Sequence, residues 1–223
     1  MDWEQCANHT VLTVTPERLE LRERIKGYSQ PAYVDFSTII ARLRRQEGLK
    51  QPLARAAGLK NGIRPNILDA TPGLGRDAFV LAALGSVITM VERSRVTFAL
   101  LADGMRRASE AGLPEAGRMT LCQGDSVDFM AKIETNQRPD VIYLDPMHPE
   151  RTKSALVKKE MRLLREVVGD DPDGDSLLKT ALALATQRVV VKRPRLGAPL
   201  AGMTPHAVVT GKSVRYDLYF TFK

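Results

Sequence analysis

Residues 143–149 read YLDPMHP, an apolar run that delivers a carboxylate straight into Pro146, Met147, His148 and a second proline. A proline ring fixes the backbone directly after Asp145, so the acid is held on a rigid turn at the end of a buried run. A carboxylate held there can accept a hydrogen bond from an amino group, and the His148 ring can stack on a planar partner. A turn with a capping aspartate is the plainer reading of the same residues. Other polar groups follow apolar runs at DATPGLGRDA (69–78), Glu92-Arg93 and Asp125-Ser126. Gly73 and Gly75 let a turn approach a ligand closely, because no Cβ stands in the way. Glu92, roughly 20 residues further on, suits the hydroxyls of a ribose, and Asp125 and Ser126 suit an adenine amino group. GLGRDA also satisfies the loose G-x-G-x-x-A dinucleotide pattern, so a nicotinamide cofactor is an open alternative at this point.

These residues need a scaffold that gathers them, and the hydrophobic pattern supplies one. From about residue 62, short β-type runs alternate with amphipathic stretches. NILDA, SVITMVE, RMTLCQ, DVIYLD and RVVVKRP read as strands. RDAFVLAALG, the stretch from Ser94 to about Gly112, SVDFMAKI, KSALVKKEMRLLREVV and SLLKTALALAT read as helices. That alternation predicts βαβ units around a parallel sheet, with ligands beyond the carboxyl ends of its strands. The rhythm breaks in HAVVTGKSVRYDLYFTF, two strands joined at Gly211-Lys212 with no helix between them, which must therefore be antiparallel. A doubly wound sheet closed by an antiparallel hairpin is the plan of the class I methyltransferases, a Rossmann-like α/β fold. Residues 1–60 have another character: TVLTVTPERLELRER suggests a strand or two, AYVDF another, and STIIARLRRQ a helix capped by Ser37. We expect a small α+β extension over 1–60 and the catalytic domain over 61–223.

Composition narrows the class. The 223 residues are 43% hydrophobic and carry a net charge of +7, with a pI near 9.6, which favours a polyanionic partner. Two cysteines (Cys6 and Cys122), no CxxC and three scattered histidines give neither a disulfide framework nor a metal site. The sequence has no long apolar run and no signal-peptide pattern at its start, so no membrane span and a cytoplasmic setting are expected.

Enzymes that methylate amino groups end their fourth strand in a (D/N)-P-P-(Y/F/W) corner, and DPMH is a variant of it. The acid accepts from the exocyclic NH2, and the ring at the fourth position stacks on the base. In the helix that follows, Val157, Met161, Leu164 and Val168 share a face. Arg151, Lys158, Arg162 and Arg165 gather beside it, with Lys192 and Arg193 of VKRPR emerging at the next strand end. We expect these six cations to contact phosphates, which position a nucleic acid without reading its sequence and bind it in a salt-dependent way.

DATPGLGRDAFVLA, YLDPMHPERTKSALVKKEMR and RVVVKRP closely resemble segments of the ribosomal RNA small subunit methyltransferase J family, and LTVTPERLELR and VDF fit its upstream region. The resemblance runs from about residue 10 to the last strand. It implies methylation of the exocyclic N2 of one guanosine of 16S rRNA, free or in the small ribosomal subunit, with S-adenosyl-L-methionine as methyl donor and no metal. By motif match it implies cofactor contacts at Arg76, Asp77, Glu92, Arg93, Asp125, Ser126 and Asp145. It also implies that Asp145, Pro146 and His148 form the catalytic corner, with His148 standing where the family carries an aromatic residue.

Overall fold

A computed structural model describes residues 10–23, 31–43, 48–146, 163–164, 167 and 174–221. The described residues begin with an antiparallel hairpin, β1 (Thr10–Val14) and β2 (Leu19–Glu23). Two short helices follow, α1 (Phe36–Leu43) and α2 (Pro52–Ala56). The alternating region comprises β3 (Asn66–Asp69), α3 (Arg76–Ala83), β4 (Val87–Glu92), α4 (Arg95–Glu110), β5 (Met119–Gln123), α5 (Ser126–Ala131), β6 (Val141–Leu144), α6 (Gly174–Leu184) and β7 (Arg188–Pro194). Strands β8 (Ala207–Thr210) and β9 (Val214–Phe220) close the chain.

Among the described residues seven strands form one sheet in the order β5-β4-β3-β6-β7-β9-β8. The five from β3 to β7 are mutually parallel, and β9 runs antiparallel to both β7 and β8. The expected terminal hairpin is therefore present, with β9 inserted between its partner and β7. All four residues of β6 are buried, as a strand covered on both faces requires. Side chains alternate between two cores. Ile67, Val141, Tyr143 and Val190 meet Phe79, Leu81 and Leu101, while Leu68, Ile142, Leu144, Val189 and Val191 meet Met130, Leu178 and Ala181. The sheet winds outward in both directions from β3 and β6, so the switch point lies between them.

Three local expectations change. AYVDF makes no strand: among its residues only Ala32 bridges Leu21, and Phe36 already opens α1. Asp35, not Ser37, caps that helix, its Oδ1 accepting from Ser37 N–H at 3.0 Å and Ser37 Oγ–H at 2.6 Å. The α2 turn was not anticipated, although Pro52 at its first position is a start signal. The helix expected over 153–168 lies mostly outside the described residues; of those described, Leu163 and Leu164 are helical and buried.

The N-terminal segment shares the first of these cores. Phe36 stacks on Phe79 with centroids 4.3 Å apart and planes 8° from parallel. Leu19 N–H donates to Asp103 Oδ2 at 3.1 Å, and the Arg107 guanidinium donates to the Val34 carbonyl. Val34 sits so close to α4 that a Cβ on Gly104 would lie 2.2 Å from its Cγ1. Gly104→Ala is therefore expected to cost about 1–3 kcal/mol of stability, measured by chemical denaturation. Adding Val34→Ala should return part of that loss, as contacting residues couple.

Candidate active site

The carboxyl ends of β3, β4, β5, β6 and β7 open onto one cavity of about 260 Å³. Its first wall is the loop after β3. Gly73 (φ +52°) and Gly75 (φ +69°) take left-handed conformations there, which turn the chain sharply into α3. Gly73 lines the cavity. Gly75 caps α3 from behind, where a Cβ would lie 2.6 Å from Leu101 Cδ1, so its small size serves packing rather than ligand approach.

The second and third walls come from β4 and β5. Glu92 is buried at the end of β4, accepts from Ser94 N–H at 2.7 Å, and lines the cavity beside Arg93. Asp125 caps α5, its Oδ1 accepting from Val127 N–H at 2.8 Å and Asp128 N–H at 3.1 Å. Ser126 Oγ–H donates to the Ala70 carbonyl at 2.7 Å, stitching the β3 loop to the end of β5. Val91, Val127, Leu164 and Leu177 add apolar lining.

The fourth wall holds Asp145. Its backbone N–H donates to Thr71 Oγ1 at 2.5 Å, and its Oδ2 accepts from Lys192 Nζ at 2.8 Å. Lys192 Nζ also donates to Asp77 Oδ2 at 2.8 Å, and Tyr143 Oη–H donates to the same oxygen at 2.5 Å. Tyr143, Asp77, Lys192 and Asp145 thus form one continuous network on β6, α3 and β7. Burial raises the Asp145 pKa, Lys192 opposes that rise, and the Asp77 charge adds to it. Burial disfavours the Lys192 charge, but Asp77 and Asp145 together raise its pKa and hold it as an ammonium.

Asp69 lies beneath this network, 1% exposed, with Thr71 N–H donating to its Oδ1 at 3.1 Å. Burial pushes its carboxyl well above the usual aspartate range, opposed by the Thr71 bond and helped by Asp77 and Asp145. With its folded pKa raised, the native state binds more protons than the unfolded chain between the two values, so stability falls as pH rises through that window. Asp69→Asn, which stays neutral, should flatten this dependence and be the more stable protein at pH 7 and above. Thermal melts across pH check it; an unchanged slope would remove Asp69 as its source.

Arg76, Asp77, Glu92, Arg93, Asp125, Ser126, Gly73 and Asp145 are thus brought together, as the sequence led us to expect. Two basic residues differ from expectation. Lys192 turns into the cavity and is committed to two carboxylates. Arg193 is 4% exposed and its Nε–H donates to the Ala198 carbonyl at 2.8 Å, so it presents no charge to an RNA backbone. His148, Arg151, Lys158, Arg162 and Arg165 lie outside the described residues, while Pro146 is buried beside Asp145. Sequence reasoning missed Asp69, Thr71 and Tyr143. Tyr143 had a usable signal, since it stands two residues before Asp145 and so shares its face of β6.

Among the described residues no group of three or more His, Cys, Asp or Glu side chains is arranged to hold a metal, and no helix is long and apolar enough to cross a membrane. The donor set suits a sulfonium nucleoside. The buried Glu92 carboxylate can accept from ribose hydroxyls, and the apolar residues beside Ser126 suit a flat base.

Comparison with known proteins agrees. Residues 3–221 match a family model described as "Putative SAM-dependent methyltransferase". The chain is 51% identical over 214 residues to the ribosomal RNA small subunit methyltransferase J of Nitrosococcus oceani, covering 94% of this chain and 84% of that protein. It is 52% identical over 213 residues to the protein of that name from Yersinia enterocolitica, covering 93% and 84% respectively. Among solved structures, a SAM-dependent methyltransferase from Neisseria gonorrhoeae superposes with a TM-score of 0.78 at 38% identity, covering 96% of this chain and 84% of its own.

Proposed function

The chain belongs to the ribosomal RNA small subunit methyltransferase J family, and from that premise we propose that it methylates the exocyclic N2 of one guanosine in 16S rRNA. The observation that carries this reading is Asp145: a carboxylate at the end of β6 that opens, 41% exposed, onto the cavity lined by Gly73 and Glu92.

S-adenosylmethionine supplies an electrophilic methyl group on a sulfonium. The remaining work falls to the chain. A guanine amino group is a poor nucleophile because its lone pair is delocalised into the ring. Asp145 accepts a hydrogen bond from one of its N–H groups, turns the nitrogen toward the cofactor, and offsets the positive charge that grows on it during attack. Holding the two reactants in line supplies much of the acceleration. A strong base is unnecessary, because the methylated nitrogen loses its proton readily once the bond has formed. Glu92 with the Gly73 turn, and Asp125 with Ser126, hold the nucleoside part of the cofactor. Within a duplex the amino group lies against the helix edge, so the target base is unpaired or turned out of its stack.

Transfer of labelled methyl groups into free 16S rRNA and into small subunits, followed by nucleoside mapping, tests the proposal. Label recovered in N2-methylguanosine at one position supports it. Label confined to another base overturns the assignment of the acceptor. The same pair of substrates reports whether the enzyme takes naked RNA or the assembled particle.

A further inference from the structure

We propose that Lys192 reads the target base, donating a hydrogen bond to guanine O6 while Asp145 takes the amino edge. This rests on the guanine-N2 reading above and adds a residue that sets its specificity.

The geometry is that of a paired donor and acceptor. Lys192 Nζ lies 2.8 Å from Asp77 Oδ2 and 2.8 Å from Asp145 Oδ2. An ammonium carries three protons, and among the described residues these two carboxylates are its hydrogen-bond partners, which leaves one proton for a ligand. Asp145 Oδ1 likewise has no hydrogen-bond partner among the described residues, since Lys192 is on Oδ2. Both side chains line the cavity and are partly exposed to it, 24% and 41% respectively. Tyr143 anchors Asp77, and the buried Tyr216 stands opposite Lys192 in the β7–β9 register. Lys192 is therefore pinned, because swinging to solvent would abandon two carboxylates.

An ammonium already balanced by two carboxylates has little long-range pull on phosphate, but it remains a directed donor. Guanine offers the matching edge: its 2-amino group and N1–H donate, and O6 accepts beside them. Adenine places an amino group where O6 would be, so two donors would face each other at Lys192. The pair thus favours guanine and penalises adenine with the same two side chains. A cofactor's amino-acid end could also engage a lysine and a carboxylate, so the experiment must separate the two.

The test uses the substrate RNA with its mapped guanosine replaced by 2-aminopurine, which keeps the 2-amino group and lacks both O6 and the N1 proton, so the Lys192 variants isolate the O6 contribution. We expect wild-type kcat/KM to fall roughly 10- to 100-fold on 2-aminopurine, the range for one hydrogen bond to a charged donor. Lys192→Met should lose a similar factor on guanosine and little more on 2-aminopurine, with S-adenosylhomocysteine affinity unchanged; Lys192→Arg should fall between. Equal wild-type activity on the two bases overturns the proposal, and that comparison needs no variant to fold. An equal loss on both bases in Lys192→Met overturns it too, and a parallel loss of S-adenosylhomocysteine affinity assigns the lysine to the cofactor instead. Failure of the wild type to methylate any guanosine would overturn the underlying function, a different result from equal handling of the two bases.

Discussion

Asp145→Ala should lower the single-turnover rate of methyl transfer roughly 10²–10³-fold, the usual cost of removing one preorganised group aimed at developing charge. RNA affinity should stay within a few-fold, because phosphate contacts made elsewhere carry most of it. Asp145→Asn keeps an acceptor and loses the charge, so its rate should fall between the two. Since the ionised carboxylate is the active form, wild-type activity is full above the Asp145 pKa and is lost as pH falls through it. Burial raises that pKa, so the acid limb should lie above the ordinary aspartate value of about 3.9. The limb should vanish in Asp145→Asn. A variant Asp145→Ala that transfers methyl groups at the wild-type rate would remove this residue from the mechanism.

Gly75→Val should be the most damaging single change in the glycine loop. The substitution forces a β-branched residue to φ +69° and drives its Cβ toward Leu101 Cδ1, 2.6 Å away, with Phe36 Cζ at 3.4 Å. Strain and overpacking together should cost roughly 2–5 kcal/mol. Gly73→Ala is the control. It shares the left-handed backbone, but its Cβ would meet nothing within 4 Å, so only the conformational cost of about 1–2 kcal/mol applies. Urea titration of both variants checks the ranking. A Gly75→Val protein as stable as Gly73→Ala would mean that the loop moves freely away from α4.

The plan of the sheet was legible because each of its parts has a local cause. Short apolar β-type runs separated by amphipathic stretches announce parallel crossovers, and the absence of a helix between Thr210 and Val214 announces the inversion at β9. Asp145, Glu92 and Ser126 were legible because each stands at or just beyond the end of an apolar run. Lys192 was not, for a physical reason. In VVVK the strand is apolar on both faces, so the sequence carries no parity to say which way the lysine points, and only the register with β6 and β9 decides it. Arg193 failed the same way, one residue on and facing the other core. Asp69 resembled any acid at a strand end, and only the packing above it takes it out of water. Asp35 lost to Ser37 because both are good caps two residues apart, and the choice depends on where Phe36 must sit to reach Phe79.

The position of β9 also bears on how the molecule is made. It is the last strand in sequence order, yet it lies inside the sheet between β7 and β8. Until it emerges, β7 shows a bare hydrogen-bonding edge and β8 has no neighbour in the sheet, the state in which strands pair with the wrong chain. Tyr216, which stands opposite Lys192 in the register, is missing for just as long. Synthesis therefore leaves the sheet, and the wall beside Lys192, unfinished until the final strand slides between two that are already waiting.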